Sequence, residues 1–528
     1  MSLLEIWYNE LGLLLLEERS VMFNKMISGT VRGIDGIEVQ VEVDISSGLP
    51  TFEMVGYLSS EVKEAKERVR TALRNSGYVL PPKRITVNLS PADLKKEGSA
   101  FDLPIAIAIL TSLGYIHKQK TSSYFAVGEL SLDGKINPIQ GVLPLVDFAK
   151  KRGLKSCIVP EQNQLEGCVV KGIDVYGFSH LKEVVDFLNE VDKRNPVPFD
   201  EKSYFEQGGE EYDFKDVVGQ ESVKRAVEIA VAGRHNLLLE GPPGAGKSMI
   251  AKRIPSIMPD LTLEESLELT KIYSISGLLG KKDGLLTKRP FRAPHHTSSQ
   301  FSIVGGGRIP KPGEISLAHH GVLFLDEMPE FSRSALEIMR QPLEDGKITL
   351  SRVNASCEFP ANFMLVAAMN PCPCGYFPDY NRCSCSPNMI HKYQNKISQP
   401  LLDRIDINMF VEPVGIENLQ KEKKGEGSKQ MKARVKKAHE IQRKRYKNCS
   451  FSYNGQMTPK EIGHFVKIKP EHEPLLKTML EKYKLSARAY HRILKVARTI
   501  ADLEQSEAIE TQHLIEAVSY RRLSGEKE

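Results

Sequence analysis

The sequence predicts an α/β fold centred on a parallel sheet that carries a phosphate-binding loop. Three observations predict it. An apolar run, Asn236-Leu-Leu-Leu-Glu240, leads into Gly241-Pro242-Pro243-Gly244-Ala245-Gly246-Lys247-Ser248, and a helix-compatible run from Met249 to Ile254 follows. A second apolar run, Gly321-Val-Leu-Phe-Leu, ends in Asp326-Glu327. A third, Val366-Ala-Ala-Met, ends in Asn370. Short, continuously apolar runs bounded by turn residues are the pattern of strands buried on both faces.

The residue types at these strand ends point to one chemistry. Glycines let backbone N–H groups curl around phosphate oxygens without Cβ clashes. The helix N-terminus adds partial positive charge. Lys247 is spaced to reach β- and γ-phosphates, and Ser248 to ligate Mg²⁺. A buried parallel strand delivers Asp326 and Glu327 to the edge where ligands bind in doubly wound sheets. Asp326 fits a second Mg²⁺ contact and Glu327 the polarisation of an attacking water. Asn370 fits a γ-phosphate sensor that helps place that water. The expected cofactors are ATP and Mg²⁺.

Composition sets the frame. At 528 residues the usual domain size predicts about three domains. Hydrophobic content of 41% and charge of 26% are those of an ordinary globular chain. A net charge of +5 does not announce nucleic-acid binding, so local clusters must carry that case. No apolar run is long enough to span a membrane. Leu11-Gly-Leu-Leu-Leu-Leu16 lacks the basic flank and small-residue cleavage site of a signal peptide. A cytoplasmic protein is expected. Residues 1–21 read as an N-terminal extension, with Met22 as an alternative start.

Residues 22–195 alternate strand-like and helical runs and read as a mixed α/β domain. Ile37-Glu-Val-Gln-Val-Glu-Val43 alternates with period two, and Ser59 to Arg74 is amphipathic. Ile105 to Leu113 reads as a buried helix, Phe125-Ala-Val and Cys157-Ile-Val as strands. Residues 196–212 are linker-like in Pro, Gly and charge. The ATPase core is expected over 213–412, and 413–528 as a basic segment followed by a helical lid. Between Lys429 and Lys447 the basic residues suit either a solvated helix or a nucleic-acid contact.

Further along, Leu401-Leu-Asp-Arg404-Ile-Asp406 follows the Asn370 strand. Arg404 fits a structural salt bridge or an arginine finger completing a neighbouring subunit's site. Arg488 opens a C-terminal helix and fits a second sensor or a helix-surface arginine. The order of glycine loop, acidic strand, Asn and Arg matches an AAA+ module.

These residues are similar to the magnesium-chelatase-like AAA+ family that contains the YifB and ComM proteins. The strings that carry the resemblance are Arg289-Pro-Phe-Arg-Ala-Pro-His-His-Thr297, Pro312 to Glu327, Met369-Asn-Pro-Cys-Pro-Cys-Gly375 and Leu401 to Asp406. It extends over nearly the whole chain from Met22 and is shared with MCM helicases and the chelatase ATPase subunit. It implies a homo-hexameric ring, a helix-2 insert near Ser274 to Gly307, and a hairpin formed by Lys347 to Arg352 turning back through Cys357-Glu-Phe359. Lys347 and Arg352 on that hairpin, and Arg308 in the loop Gly305-Gly-Gly-Arg308, are candidates for tracking a phosphate backbone without reading bases. An ordinary solvated hairpin is the other reading.

Cys372-Pro-Cys374 and Cys383-Ser-Cys385 account for four of the eight cysteines. Four soft ligands on one loop can hold structural Zn²⁺, or stand as reduced thiols. Residues Gly128 to Pro160 resemble the proteolytic domain of Lon proteases, a ribosomal-S5-domain-2-like α/β fold. Aligned on the helix start, Lon's nucleophile falls on Ala100, with Ser99 one place off, and Lon's lysine falls on Leu143. The domain therefore reads as a Lon-like scaffold without a catalytic dyad.

The leading reading is an ATP-hydrolysing ring motor acting on single-stranded or branched DNA, a ComM-like helicase or branch-migration factor in recombination. A chelatase-type remodeller of a protein client is the alternative, and a Ser/Lys ATP-dependent protease comes third. A loader or client protein is a further expected partner; a membrane is not.

Overall fold

Two compact units make up the computed structural model, which describes residues 23–206, 212–280, 283–307, 310–352, 355–413, 425–482 and 486–521. One unit holds the described residues before 207 together with 266–286; the other holds those of 208–265 and 287–528. The extension over 1–21, and Met22, lie outside the described residues.

The alternating run at Ile37 lies within β2 (Asp35–Ser46), which pairs antiparallel with β1 (Phe23–Arg32). They belong to a seven-stranded sheet with β3 (Phe52–Val55), β4 (Arg84–Ser90), β5 (Tyr124–Ala126), β8 (Ser156–Pro160) and β9 (Asp174–Phe178), in the order β3-β4-β2-β1-β5-β8-β9. A small ribbon of β6 (Glu129–Leu130) and β7 (Ile136–Asn137) stands apart from it. Helix α1 (Ser60–Asn75) begins at Ser59, whose side chain accepts from the Val62 N–H. It packs on α2 (Asp102–Ser112), every residue of which is buried. Helix α3 (Val142–Lys151) takes the other face: Ala126 joins the apolar core with α2, while Phe125, pointing the other way, meets Phe148 of α3.

In the second unit, α4 (Glu221–Gly233) precedes β10 (Leu237–Glu240), and α5 (Lys247–Ile257) follows the glycine loop. Helix α6 (Leu263–Ser276) leads out of this unit's stretch, and from residue 266 its chain counts with the first unit. There Lys271 donates to Asp147 Oδ2 at 2.5 Å, Ser274 donates to buried Glu166, and the Thr270 hydroxyl accepts from Leu286 N at 3.0 Å. The insert expected near Ser274–Gly307 is thus divided: its first part packs with the N-terminal unit. The chain then runs through β11 (Phe291–Arg292), the ribbon β12 (Gly305–Gly306) and β13 (Lys311–Pro312), and β14 (Val322–Leu325). The hairpin of β15 (Lys347–Arg352) and β16 (Ala355–Pro360) leads to β17 (Met364–Met369) and then β18 (Ile407–Phe410). Five strands, in the order β11-β14-β17-β10-β18, form one wholly parallel sheet.

Helices α7 (Ser428–Arg445), α8 (Ala487–Leu503) and α9 (Thr511–Ser519) share one apolar cluster with α4 and this sheet. On α7 the stripe Ser428, Met431, Val435, Ala438 and Gln442 is buried. Four of its basic residues are committed within the chain: Lys432 and Lys436 to Asp260, Arg434 to Glu228 and Glu426, Arg445 to Asp502. Lys429, Lys437, Arg443, Lys444 and Lys447 stay exposed. Residues 201–206, inside the expected linker, form a short helix.

Gly36 shows how tightly α3 is seated. A Cβ there would stand 2.6 Å from Phe148 Cβ and 2.7 Å from the Pro144 carbonyl oxygen. Gly36→Ala is expected to cost about 1–3 kcal/mol by overpacking, seen as a lowered denaturant midpoint. Gly463→Ala, whose Cβ meets nothing within 4 Å, is expected to leave that midpoint unchanged or slightly raised.

Candidate functional site

Because the sheet is parallel, β10, β14 and β17 all end on the same edge, and the residues that follow them converge there. The glycine loop leaves β10 at Gly241, where any Cβ would lie 2.4 Å from the Val411 carbonyl oxygen. Gly244 and Gly246 have φ of +78° and +91°, which a side chain would resist. Pro242 and Pro243 stiffen the entry, Ala245 packs into the core, and Gly246 caps α5.

Lys247, the first residue of α5, is buried. Its ammonium donates to Gly241 O at 2.6 Å, Pro242 O at 2.9 Å and Asn370 Oδ1 at 3.1 Å. Burial lowers its pKa, and the charges of Asp326, Glu327 and Glu240 act in the opposite direction. Ser248 Oγ donates to Asp326 Oδ2 at 2.6 Å. Two hard oxygens from different elements thus meet beside the loop, the donor set a magnesium ion prefers. The Glu327 N–H donates to Asp326 Oδ1 at 3.0 Å. Glu327 itself has φ of 49°, and its carboxylate is exposed. The loop, Lys247, Ser248, Asp326, Glu327 and Asn370 therefore form one cluster able to cradle a triphosphate, neutralise it and present a base beside it.

One member was not legible as a site residue. His296 Nδ1 lies 3.8 Å from Glu327 Oε2. The string around it explains why it arrives there. Arg289 is buried and donates to Pro259 O at 2.5 Å and His320 O at 2.6 Å, and pairs with Glu265 at 3.2 Å. Arg292 grips Glu314 through two bonds of 2.6 and 2.7 Å. These two arginines fix the exit of β11, and β11 ends on the same edge as β14. In the sequence the string served only as a signature; the signal for His296 was its position just beyond a strand neighbouring the acidic one.

The remaining candidates are placed differently. Arg404 is buried; it donates to Pro400 O at 2.6 Å and to the carboxylate of Glu344. Arg488 is exposed on the first turn of α8, after the Ser486 cap. Lys347 pairs with Glu358 across the hairpin at 3.0 Å, so it is already neutralised. Arg352 closes β15 opposite Ala355. Arg308 lies outside the described residues.

The four loop cysteines come together. Sγ separations are 3.3 Å for Cys372–Cys374, 3.5 Å for Cys374–Cys383 and 3.7 Å for Cys372–Cys383, and Cys385 lies within the same group. Four thiolates about 2.3 Å from one ion stand roughly 3.8 Å apart, so the set fits a tetrahedral metal. The Cys372 sulfur also accepts from the Gly375 and Phe377 N–H groups. Backbone donation from Tyr376 helps draw Cys374 down to about 6, toward the thiolate a metal requires. Gly375, at φ +88°, leaves room for Pro243 of the phosphate loop; a Cβ would come within 2.5 Å of it.

At the Lon-like positions of the first unit, Ser99 donates to the carboxylate of Glu129, not to an amine. Leu143 is buried, with its N–H donating to Glu166 Oε1 at 2.9 Å.

Models of magnesium chelatase subunit ChlI match residues 213–419 and, for its C-terminal part, 425–521. A further model of subunit ChlI of Mg-chelatase matches 41–163. The uncharacterized protein YifB of Escherichia coli K12 is 46% identical over 496 residues, 93% of this chain and 95% of that protein. Competence protein ComM of Haemophilus influenzae is 43% identical over 504 residues, covering 93% and 96%. The chain belongs to the YifB/ComM family of magnesium-chelatase-like AAA+ proteins. Lon protease 2 of Bacillus subtilis is also similar, at 30% identity over 152 residues, 28% of this chain and 26% of that one. Family membership implies a nucleotide and Mg²⁺, and the cysteine cluster is a separate metal candidate.

The cysteine geometry has a direct check. Metal analysis of purified protein is expected to find about one thiophilic ion per chain. Cys372→Ser should lose it and melt several degrees lower. Protein that carries no metal as purified, and whose melting point Cys372→Ser leaves unchanged, would identify the cluster as reduced thiols.

Proposed function

We propose that the protein is an ATP-hydrolysing ring motor whose substrate is DNA. The observation that carries the hydrolytic reading is the convergence of Lys247, Ser248, Asp326, Glu327 and Asn370 at one sheet edge. In this reading the loop N–H groups and Lys247 bind the β- and γ-phosphates, exchanging the carbonyl partners of the ammonium for phosphate oxygens. Ser248 and Asp326 hold Mg²⁺, which supplies charge neutralisation when bound. Glu327 polarises the attacking water, and His296 orients that carboxylate. Asn370, already bonded to Lys247, registers the γ-phosphate. Arg488 serves as a second sensor, and Arg404 acts on a neighbour's nucleotide, which requires a homo-oligomeric ring, a hexamer by family analogy. The cluster of cysteines is read as a structural Zn²⁺ site.

The DNA substrate is supported by near-full-length similarity to a protein named for competence. Arg352, Arg308 and the exposed basic residues of α7 are the proposed backbone contacts. Lys347 can join them by leaving Glu358, a pair of exposed groups that is worth little in water. Strand separation or branch migration is the proposed work. The free state of the cysteines fits a cytoplasmic setting. A chelatase-type remodeller of a protein client is the second reading, favoured by the match of the chelatase models to both parts of the second unit. A peptidase reading is disfavoured because Ser99 faces Glu129 rather than a lysine.

Steady-state ATP hydrolysis with and without single-stranded and forked DNA tests the proposal. Stimulation by DNA that weakens with added salt is expected, and Glu327→Gln should reduce turnover at least about a hundredfold while retaining ATP binding. Hydrolysis indifferent to every DNA would sink the DNA reading and favour a protein client. His296→Ala is expected to lower kcat about tenfold with KM nearly unchanged, since it acts through Glu327 and not on the nucleotide.

A further inference from the structure

The start of the cysteine loop lies along the phosphate loop. Where β17 ends, the Met369 carbonyl oxygen accepts from the Gly241 N–H at 3.2 Å. One residue on, Asn370 Oδ1 accepts from the Lys247 ammonium at 3.1 Å. Further along, Gly375 turns at φ +88° against the Pro243 ring; a Cβ there would stand 2.5 Å from its Cδ and 2.8 Å from its Cγ. The stretch 369–375 therefore meets Gly241, Pro243 and Lys247 in turn. Cys372 and Cys374 lie inside it. Cys372 is fully buried, and its sulfur accepts from the Gly375 N–H at 3.2 Å and the Phe377 N–H at 3.4 Å.

Cys383 and Cys385 come from the far end of the same loop. The Cys383 N–H donates to Asp379 O at 2.8 Å. Just past Cys385, Ser386 caps the helix Pro387–Gln394 by accepting from the Met389 N–H at 3.3 Å. That helix returns to where the loop began. Gln394 Nε2 donates to Pro371 O at 3.1 Å, and Tyr393 is buried in the same apolar cluster as Met369. The loop is thus closed twice, once by Gln394 and once by its sulfurs. Thiols are weak hydrogen-bond partners, so the firm closure at the sulfurs is an ion bound by all four.

We propose that the cysteine cluster is a positioning site for the nucleotide centre: a thiophilic metal ion on Cys372, Cys374, Cys383 and Cys385 sets Asn370 and the Pro243 side of the phosphate loop, so that metal and nucleotide bind cooperatively. The inference rests on the readings of the glycine loop as a nucleotide site and of the cysteines as a metal site, and adds a coupling between them. Anchoring Cys372 fixes the chain two residues from Asn370. Anchoring Cys374 fixes the turn that abuts Pro243. A nucleotide then meets a loop already in its binding shape and does not bear the cost of ordering it. The ion's four positions are filled by sulfur, so it takes no direct part in the chemistry.

The test is the affinity of full-length protein for a fluorescent, non-hydrolysable ATP analogue in excess Mg²⁺, with the cysteine cluster loaded with Zn²⁺ and after Zn²⁺ has been stripped. Loss of Zn²⁺ is expected to weaken the analogue about tenfold, and added Zn²⁺ to restore it. Coupling is reciprocal, so the analogue should tighten Zn²⁺, measured at equilibrium against a competing chelator, by the same factor. Cys385→Ser, at the more exposed end of the loop, should behave as stripped protein, while Cys385→His, which keeps a fourth ligand, should regain Zn²⁺ and analogue affinity together. Gln394→Ala should keep its Zn²⁺ and lose part of the coupling, which a merely stabilising metal would not show. The proposal is overturned if stripped protein that remains folded binds the analogue within about twofold of loaded protein, or if the analogue leaves Zn²⁺ affinity unchanged. Where stripped protein does not stay folded, the Zn²⁺ competition with and without analogue carries the same comparison. Protein that takes up no Zn²⁺, or that binds no analogue when loaded, overturns the metal or the nucleotide reading and this inference with it. Coupling in protein that does not hydrolyse ATP would remove the hydrolytic reading alone.

Discussion

Everything in the second unit depends on parallel strands ending together. A parallel sheet cannot be closed by tight hairpins, so each strand must return through a crossover. The reward is that β10, β14 and β17 release their chains at one edge, where backbone pairing has stopped and side chains are free to converge. Lys247 then sits among carbonyls and two acids in a place with little water. Its ammonium is stabilised by fixed dipoles instead of solvent, and those dipoles can be exchanged for a phosphate without reorganising the loop. The arginine pairs around β11 serve the same end, holding the next strand's exit close enough to reach Glu327.

Much of this was readable in the residues. The loop, the acidic pair and Asn370 each follow an apolar run, and a strand followed by a polar residue at a fixed place is a local pattern. The amphipathic run from Ser59, the alternation from Ile37 and the buried run from Ile105 are equally local, and the corresponding elements lie where those patterns put them. What could not be read depends on pairing across long separations. His296 has no meaning until β11 is laid beside β14. The commitment of Lys432 and Lys436 to Asp260, more than 170 residues earlier for Lys436, cannot be guessed from a basic helix alone. Asp406 looks like the end of a signature string until His235 and Arg492 close around it. The strings used for recognition and the residues that hold the site are largely the same; sequence shows where they stand, and folding shows what each one touches.

The cysteine loop illustrates how a secondary feature can bear on the main one. Its hairpin of thiols is stiffened by N–H donation to Cys372, and its glycine turn lies directly against Pro243. Whatever fixes the sulfurs also fixes one wall of the phosphate loop.

The path of residues 266–286 carries a practical meaning for anyone dissecting the molecule. They are threaded out of the nucleotide-binding sequence and find their partners, Asp147 and Glu166, in the N-terminal fold. Truncation at the linker would therefore not liberate a self-sufficient C-terminal fragment. It would strand Lys271 and Ser274 without their carboxylates and leave an apolar excursion bare, an invitation to aggregate. An excised N-terminal fragment would suffer the mirror-image defect, with Glu166 buried and short of a donor. Coexpression of the halves, or grafting a polar loop in place of the excursion, is the route that respects how the chain is woven.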